Sequence, residues 1–189
     1  MMSKRLMQFA THFQSFSRRR VLVVGSALSS FLLFGASATA NSNDEEKSSD
    51  GTPPTAEIMQ IVEKNIALVK GQAESLLQHE VGFDREAVKW LDDYIIQRRE
   101  KFQKSSGAAE LFGCFYGECV KQVYGGKWLF FDGDLVVRLP VVDIAFVISH
   151  VKKHIDNEEG DSILSKFDVI GVLIKDGNEN GTKPIRQSQ

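Results

Sequence analysis

The residues best suited to chemistry lie in the segment GCFYGECV at positions 113–120, which holds two cysteines, a glutamate and two glycines. Thiols and a carboxylate this close together suggest a disulfide, a metal site or a general acid or base. The flanking residues predict a helix from about Gly107 to Tyr124, ended by Gly125 and Gly126. The segment is therefore either a chemical site or the packing face of a helix.

Helical geometry separates the two cysteines. Positions five apart on an α-helix have Cα atoms roughly 8.6 Å apart and side chains about 140° apart, whereas a disulfide needs Cα atoms within about 7 Å. The same divergence argues against a shared metal. We expect Cys119 to lie on an apolar stripe with Phe112, Phe115 and Val123 and to act as a small hydrophobe. Cys114 is expected on the more polar side, where an intermolecular disulfide is the alternative.

Gly113 and Gly117 form a smooth strip with Ala109 along one side of this helix. A glycine within a helix costs roughly 0.5–1 kcal/mol relative to alanine, so the strip predicts a neighbouring element that packs closely. A membrane dimer motif does not fit, because charged residues such as Glu110 interrupt the segment.

Glu118 lies at the edge of the predicted apolar arc. A half-buried carboxylate is a weak candidate for a general acid or base. The alternative is that Lys121, Lys127 or a backbone N–H satisfies it.

His150 and His154 form the other candidate site, because residues four apart share one face of a helix, as in His-x-x-x-His zinc sites. Two lysines lie between them and would repel a cation, and the sequence identifies no third ligand. A zinc or copper site is therefore the weaker hypothesis, and surface histidines are the stronger one.

Three helices, a small sheet and two further helices are predicted to position these residues. A long helix from about Thr55 to His79 has apolar residues at spacings of three and four and contains Gly71, predicted to mark a bend or a close contact. A second helix starts at the N-cap Asp84. Its buried face carries Val88, Leu91, Ile95 and Phe102, and its solvated face carries Asp92, Asp93, Arg98, Arg99, Glu100 and Lys101.

The sequence after Gly126 predicts a hairpin, because Asp132-Gly133 joins two apolar runs. Residues 141–145 predict a third strand, and a helix follows from Phe146 to about Asp156. A last helix is expected to be capped by Asp161 and to run to roughly Lys175. Strands segregated from helices indicate an α+β fold.

The N-terminal residues resemble a secretory signal peptide. A basic region is followed by the apolar run 21–34, and small residues precede a predicted cleavage after Ala40. Ser17, Arg18, Arg19 and Leu22 match the twin-arginine export motif. A mitochondrial transit peptide and an uncleaved membrane anchor are the alternatives.

These features divide the chain into a signal peptide (1–40), a disordered linker (41–55), one globular domain (56–176) and a disordered tail (177–189). Five of the 23 basic residues and none of the 25 acidic ones lie in the signal peptide, so residues 41–189 carry a formal charge of −7. An acidic body argues against nucleic acid and anionic membrane surfaces as partners. We expect a periplasmic or secreted protein without a stable membrane span once the leader is removed.

The stretch from Ala108 to Val169 resembles a small uncharacterised bacterial domain family. The matching residues are Gly113, Gly117, Glu118, Gly125, Gly126, Trp128, Gly160, Asp161 and Ser162. The resemblance implies an α+β fold and no agreed activity.

An exported acidic domain without a convergent catalytic set predicts a non-enzymatic binding or protective module, for example one resembling an immunity protein, whose partner is another envelope protein. The alternatives are a metal-binding envelope protein that uses His150 and His154, and a hydrolase of unknown class.

Overall fold

The computed structural model describes residues 51–141, 143–157 and 162–179, which form an α+β fold of six helices and a small antiparallel sheet. The predicted signal peptide, with Ser17, Arg18, Arg19, Leu22 and Ala40, lies outside the described residues. The elements are α1 (Ala56–Leu77), α2 (Arg85–Gln97), α3 (Arg99–Gln103), α4 (Ala108–Tyr124), β1 (Lys127–Phe131), β2 (Asp134–Arg138), β3 (Ile144–Ala145), α5 (Val147–Asp156) and α6 (Ile163–Glu179).

Local signals determine where several elements begin and turn. Asp84 caps α2, because its carboxylate accepts a hydrogen bond from the N–H of Ala87 at 2.9 Å. Asp132 and Gly133 both have positive φ, at 51° and 88°, as a two-residue hairpin loop requires. The predicted N-cap and hairpin are therefore confirmed.

Helix α4 occupies the centre of the fold, and all residues from Phe112 to Val120 are buried. It packs against α1, α2, α5 and β2. Four aromatic rings, those of Trp90, Tyr94, Phe102 and Phe112, form successive contacts between α2, α3 and α4 with centroids 4.8–6.1 Å apart. The core is thus built around the helix that carries the cysteines and Glu118.

The sheet has the order β1-β2-β3, with both pairs antiparallel. A further contact joins Thr52 to Phe130 on the outer side of β1, through hydrogen bonds of 2.9 and 2.7 Å. Gly51 precedes this contact with φ +70°, and a Cβ there would lie 2.7 Å from the carbonyl oxygen of Phe130. The prediction of a disordered linker through residue 55 is therefore wrong for Gly51 and Thr52, because main-chain pairing with β1 holds them.

Three expectations about the helices need correction. The chain after Asp84 forms two helices, since the backbone leaves the helical conformation at Arg98 (φ −128°, ψ 18°). The last helix ends at Glu179, beyond the predicted domain boundary at residue 176. A Cβ added to Gly71 would have no other atom within 4 Å, so this glycine marks no close contact. None of the described helices is long and apolar enough to cross a membrane.

Candidate functional site

The two cysteines are buried and are not bonded to each other, as helical geometry predicts. Cys114 is fully buried rather than on a polar side, so an intermolecular disulfide through it is excluded in this fold. Its sulfur accepts a hydrogen bond from Asn65 Nδ2 at 3.7 Å. Burial raises the pKa of Cys114 to about 12 and also raises the pKa of Cys119, so both thiols stay protonated at neutral pH. Cys114 and Cys119 therefore serve as buried packing residues of α4. The stripe predicted for Cys119 ends early, since Val123 is exposed.

The glycine strip is confirmed as a close-packing surface. A Cβ on Gly117 would lie 2.2 Å from Cη2 of Trp128, and one on Gly113 would lie 2.9 Å from Cα of Ile148. The two glycines therefore let α4 approach β1 and α5, and the packing gained there offsets the cost of glycine within a helix.

Glu118 is buried, with 8 % of its surface exposed, and both of its carboxylate oxygens are engaged. Oε1 accepts from Gln122 Nε2 at 2.7 Å and lies 2.8 Å from Lys121 Nζ, while Oε2 accepts from Trp128 Nε1 at 3.3 Å. The alternative in which Lys121 satisfies this carboxylate is confirmed. The indole N–H of Trp128 is a partner that the sequence does not predict. Glu118 thereby joins α4 to β1.

Asp92 is the main polar residue that the sequence analysis misassigns. The expectation that it is solvated is wrong, because only 7 % of it is exposed. Its Oδ1 accepts hydrogen bonds from the main-chain N–H groups of Ile163 and Leu164, at 2.9 and 3.3 Å, and from the hydroxyl of Ser162 at 3.1 Å. A side chain of α2 thus satisfies the N-terminal donors of α6.

A signal for the burial of Asp92 is present in the sequence. Asp92 follows Val88 by four positions and precedes Ile95 by three, so it shares the face of the buried residues of α2. Its charge obscures this spacing, because a carboxylate on such a face is buried only when another element supplies donors. The N-terminus of α6 is completed locally by Ser162, whose oxygen accepts from the N–H of Ser165 at 3.2 Å. Asp161, the predicted cap, lies outside the described residues.

His150 and His154 share one face of α5, but they are not surface histidines. His154 is 4 % exposed, and its Nε2 lies 3.3 Å from Asp92 Oδ1. Burial lowers the pKa of His154, although Asp92 opposes this effect. His150 is half-buried, and burial together with Lys166 and Lys153 lowers its pKa to about 4. Both imidazoles are therefore neutral at pH 7.

The described residues contain no group of three or more His, Cys, Asp or Glu side chains placed to hold a metal ion. No third ligand joins His150 and His154 within that part of the chain, so metal binding stays a prediction. The trio Ser162, Asp92 and His154 is not arranged for nucleophilic catalysis. The serine and the histidine both contact the carboxylate, whereas a catalytic histidine must lie between serine and carboxylate. The hydrolase hypothesis likewise stays a prediction.

A groove of about 340 Å³ runs between β3, α5 and α6 and is called here the α6 groove. Its walls are Ile144 and Ala145 of β3, His150 of α5, and residues of α6 from Ser165 to Leu173. The lining is mostly aliphatic. His150 Nδ1 is buried and has no hydrogen-bond partner among the described residues. The sequence marks His150 as a metal-ligand candidate and does not predict a groove beside it.

No family model matches the chain, and comparisons with curated proteins and with solved structures find nothing similar to it. Of the residues that carry the family resemblance, Gly113, Gly117, Glu118 and Trp128 lie together where α4 packs against its neighbours. Gly160 and Asp161 lie outside the described residues.

Proposed function

We propose that the chain is an exported envelope protein with a non-enzymatic binding or protective role, of the kind that immunity proteins have, and that it acts by contact with another protein. The carrying observation is a strip of exposed aliphatic side chains on α6. Val169, Val172 and Leu173 are 55 %, 58 % and 46 % exposed. This set is called here the α6 strip.

The spacing of the strip explains why it forms one surface. Residues three and four apart lie side by side on a helix, so the three side chains are contiguous, and Val169 and Leu173 also line the α6 groove. Single exposed aliphatic residues are ordinary, but contiguous ones next to a concave apolar surface are typical of interaction sites. Burying them against a partner contributes roughly 25 cal/mol per Å² of apolar surface.

The polar residues of the interior support a binding role over catalysis. Glu118 is held by Lys121, Gln122 and Trp128, and the carboxylate of Asp92 is used to cap α6. Both groups join secondary structure elements. The sequence of the leader supports export, and the acidic charge of residues 41–189 supports a protein partner over nucleic acid.

Site-specific photocrosslinking in the native cells tests the proposal. A photoreactive amino acid replaces Val172 in the full chain, and the matched control replaces Ile96, an aliphatic residue of α2 that is 48 % exposed. We expect a discrete crosslinked protein from position 172 and none from position 96. Equal labelling at both positions, or none at position 172, would overturn the proposal.

Fractionation of the same cells shows in which compartment the protein lies. Fractionation is expected to recover the chain with the periplasmic contents, shortened by cleavage after Ala40. Recovery in the cytoplasm at full length would remove the export part of the proposal and leave the binding surface to be judged by the crosslinks.

A further inference from the structure

The sheet has two outer edges, and one of them is covered by the chain itself. In the hairpin register, the main-chain N–H and C=O of Phe130 point away from β2, because hydrogen-bonded and non-hydrogen-bonded pairs alternate along antiparallel strands. The N–H and C=O of Phe130 both pair with Thr52. The N-terminal segment therefore satisfies outward main-chain groups of β1.

The opposite edge, β3, has no such cover in the described part of the chain. Val137 pairs with Ala145, and the N–H of Leu139 donates to the carbonyl of Asp143. The alternation places Ile144 between these two pairs, with its N–H and C=O pointing away from β2. Within the described residues no main-chain group forms a hydrogen bond to either of them. In the part of the chain that the structure describes, they are main-chain groups of the sheet edge that are available for pairing.

The α6 groove lies along this open edge. Ile144 and Ala145 line it and no described residue of β2 does, so the groove is on the side of β3 away from the sheet. Its opposite wall contains Val169 and Leu173, and His150 adds a buried Nδ1 without a partner among the described residues. The site thus combines main-chain groups able to pair with a strand, an apolar wall, and one further polar atom.

Two lysines contribute positive charge at the end of the α6 groove that lies near the N-terminus of α6. Lys166 lines the groove, and both Lys166 and Lys153 lie close enough to His150 to lower its pKa. Among the described residues no carboxylate lines the groove, so an acidic side chain on an occupant would be complementary at that end.

We infer that the partner binds through an extended segment that adds as a strand to β3, with an aliphatic side chain in the α6 groove and an Asp or Glu near Lys166. Strand addition lets the main chain supply affinity while pockets for alternate side chains supply specificity. A lipid or small apolar molecule would fill the groove but would not pair with the strand edge. This inference rests on the proposed function and specifies how the partner is held.

A library of displayed random nine-residue peptides, selected on the full chain, provides the probe. We expect enriched peptides to carry an aliphatic residue and, close by, an acidic one. A synthetic peptide of the selected sequence should slow hydrogen exchange of the Ile144 amide at least tenfold. The Ala145 amide, which already faces β2, should change little.

Variants connect the peptide to the groove. Leu173→Lys should weaken peptide binding at least tenfold, whereas the control Ile96→Lys should leave it within twofold. Lys166→Glu should remove the preference for acidic peptides. Circular dichroism and urea unfolding establish that each variant is folded, and Val169→Lys serves in place of Leu173→Lys if the latter is not.

The outcomes separate the two proposals. Crosslinking at position 172 together with an unprotected Ile144 amide would overturn strand addition and leave the binding function standing. Failure to enrich any peptide over the Leu173→Lys variant would also overturn strand addition. Loss of crosslinking alone would overturn the proposed partner protein.

Discussion

The polar groups of this protein fall into two contrasting regions. The carboxylates of Asp92 and Glu118 accept hydrogen bonds of 2.7–3.3 Å from α4, α6 and β1. In the α6 groove, His150 Nδ1 and the outward main-chain groups of Ile144 have no such partner among the described residues. A buried polar group without a partner costs roughly 1–3 kcal/mol. The first region therefore stabilises the fold. In the second, the partner that we propose would gain hydrogen bonds that the described residues do not supply.

The largest effect is expected from Asp92→Ala. The change removes the acceptor for two main-chain N–H groups of α6 and for the hydroxyl of Ser162. We expect the free energy of unfolding in urea to fall by about 3 kcal/mol, because buried donors lose their acceptor. The control Asp93→Ala changes an exposed neighbour and should stay within about 0.5 kcal/mol. Equal effects would show that Asp92 does not hold α6.

Gly117→Ala should come next, with a loss of about 2 kcal/mol, because the added methyl group overlaps the indole of Trp128 and the packed core must shift. Gly71→Ala is the matched control within a helix and has open space around it. It should stabilise the protein by up to about 1 kcal/mol. Urea unfolding followed by tryptophan fluorescence measures both, and a neutral Gly117→Ala would contradict the close packing.

The pH dependence of stability tests the groove. The pKa of His150 is lowered to about 4 in the folded protein, so the unfolded chain binds the proton more readily. The free energy of unfolding should therefore be highest above about pH 6.5, the usual pKa of histidine, and should decrease as the pH falls towards 4.

Comparison with His150→Phe isolates this contribution. Between about pH 7 and pH 5 the free energy of unfolding should fall less in the variant than in the parent. The difference between the two losses should be at most about 2 kcal/mol, since solvent in the groove screens the charge. The exposed His79 provides a control: His79→Phe should follow the parent curve. An unchanged slope in His150→Phe would mean that the imidazole is not desolvated.

The smallest effect is expected from Glu118→Gln. The amide retains an oxygen for Trp128 or Gln122 but loses the charge opposite Lys121. We expect a loss of about 1 kcal/mol, because a buried acceptor of hydrogen bonds is weakened but not removed, and unchanged crosslinking from position 172. Loss of a cellular function with intact folding and crosslinking would instead favour a catalytic role for Glu118.

Much of the fold could be predicted because its signals are local. The N-cap at Asp84 and the Asp132-Gly133 hairpin depend on backbone conformations that neighbouring residues determine. The glycine strip of α4 was also readable, since unfavourable residues within a helix imply a close neighbour. The identity of that neighbour, Trp128, was not readable from spacing.

The candidate site was predicted less well. His150 stands out in the sequence for its spacing to His154, but the groove beside it is formed by β3 and α6, which meet only in the folded chain. Spacing along one helix cannot report which elements pack against it, so the sequence predicts that the two histidines share a face but not that His150 lines a groove.

The sequence alone determined the α+β class, the capped start of α2, the tight turn and the divergence of the two cysteines. Each follows from interactions within a few residues. Only the tertiary structure decided that Asp92 is buried, that Cys114 is inaccessible, and that Thr52 covers one edge of the sheet, whereas the outward groups of Ile144 have no main-chain partner among the described residues. Asp92, Cys114 and Thr52 each contact residues about 50 to 80 positions away in the sequence. Such contacts form only when distant elements pack together, so spacing within one element does not predict them.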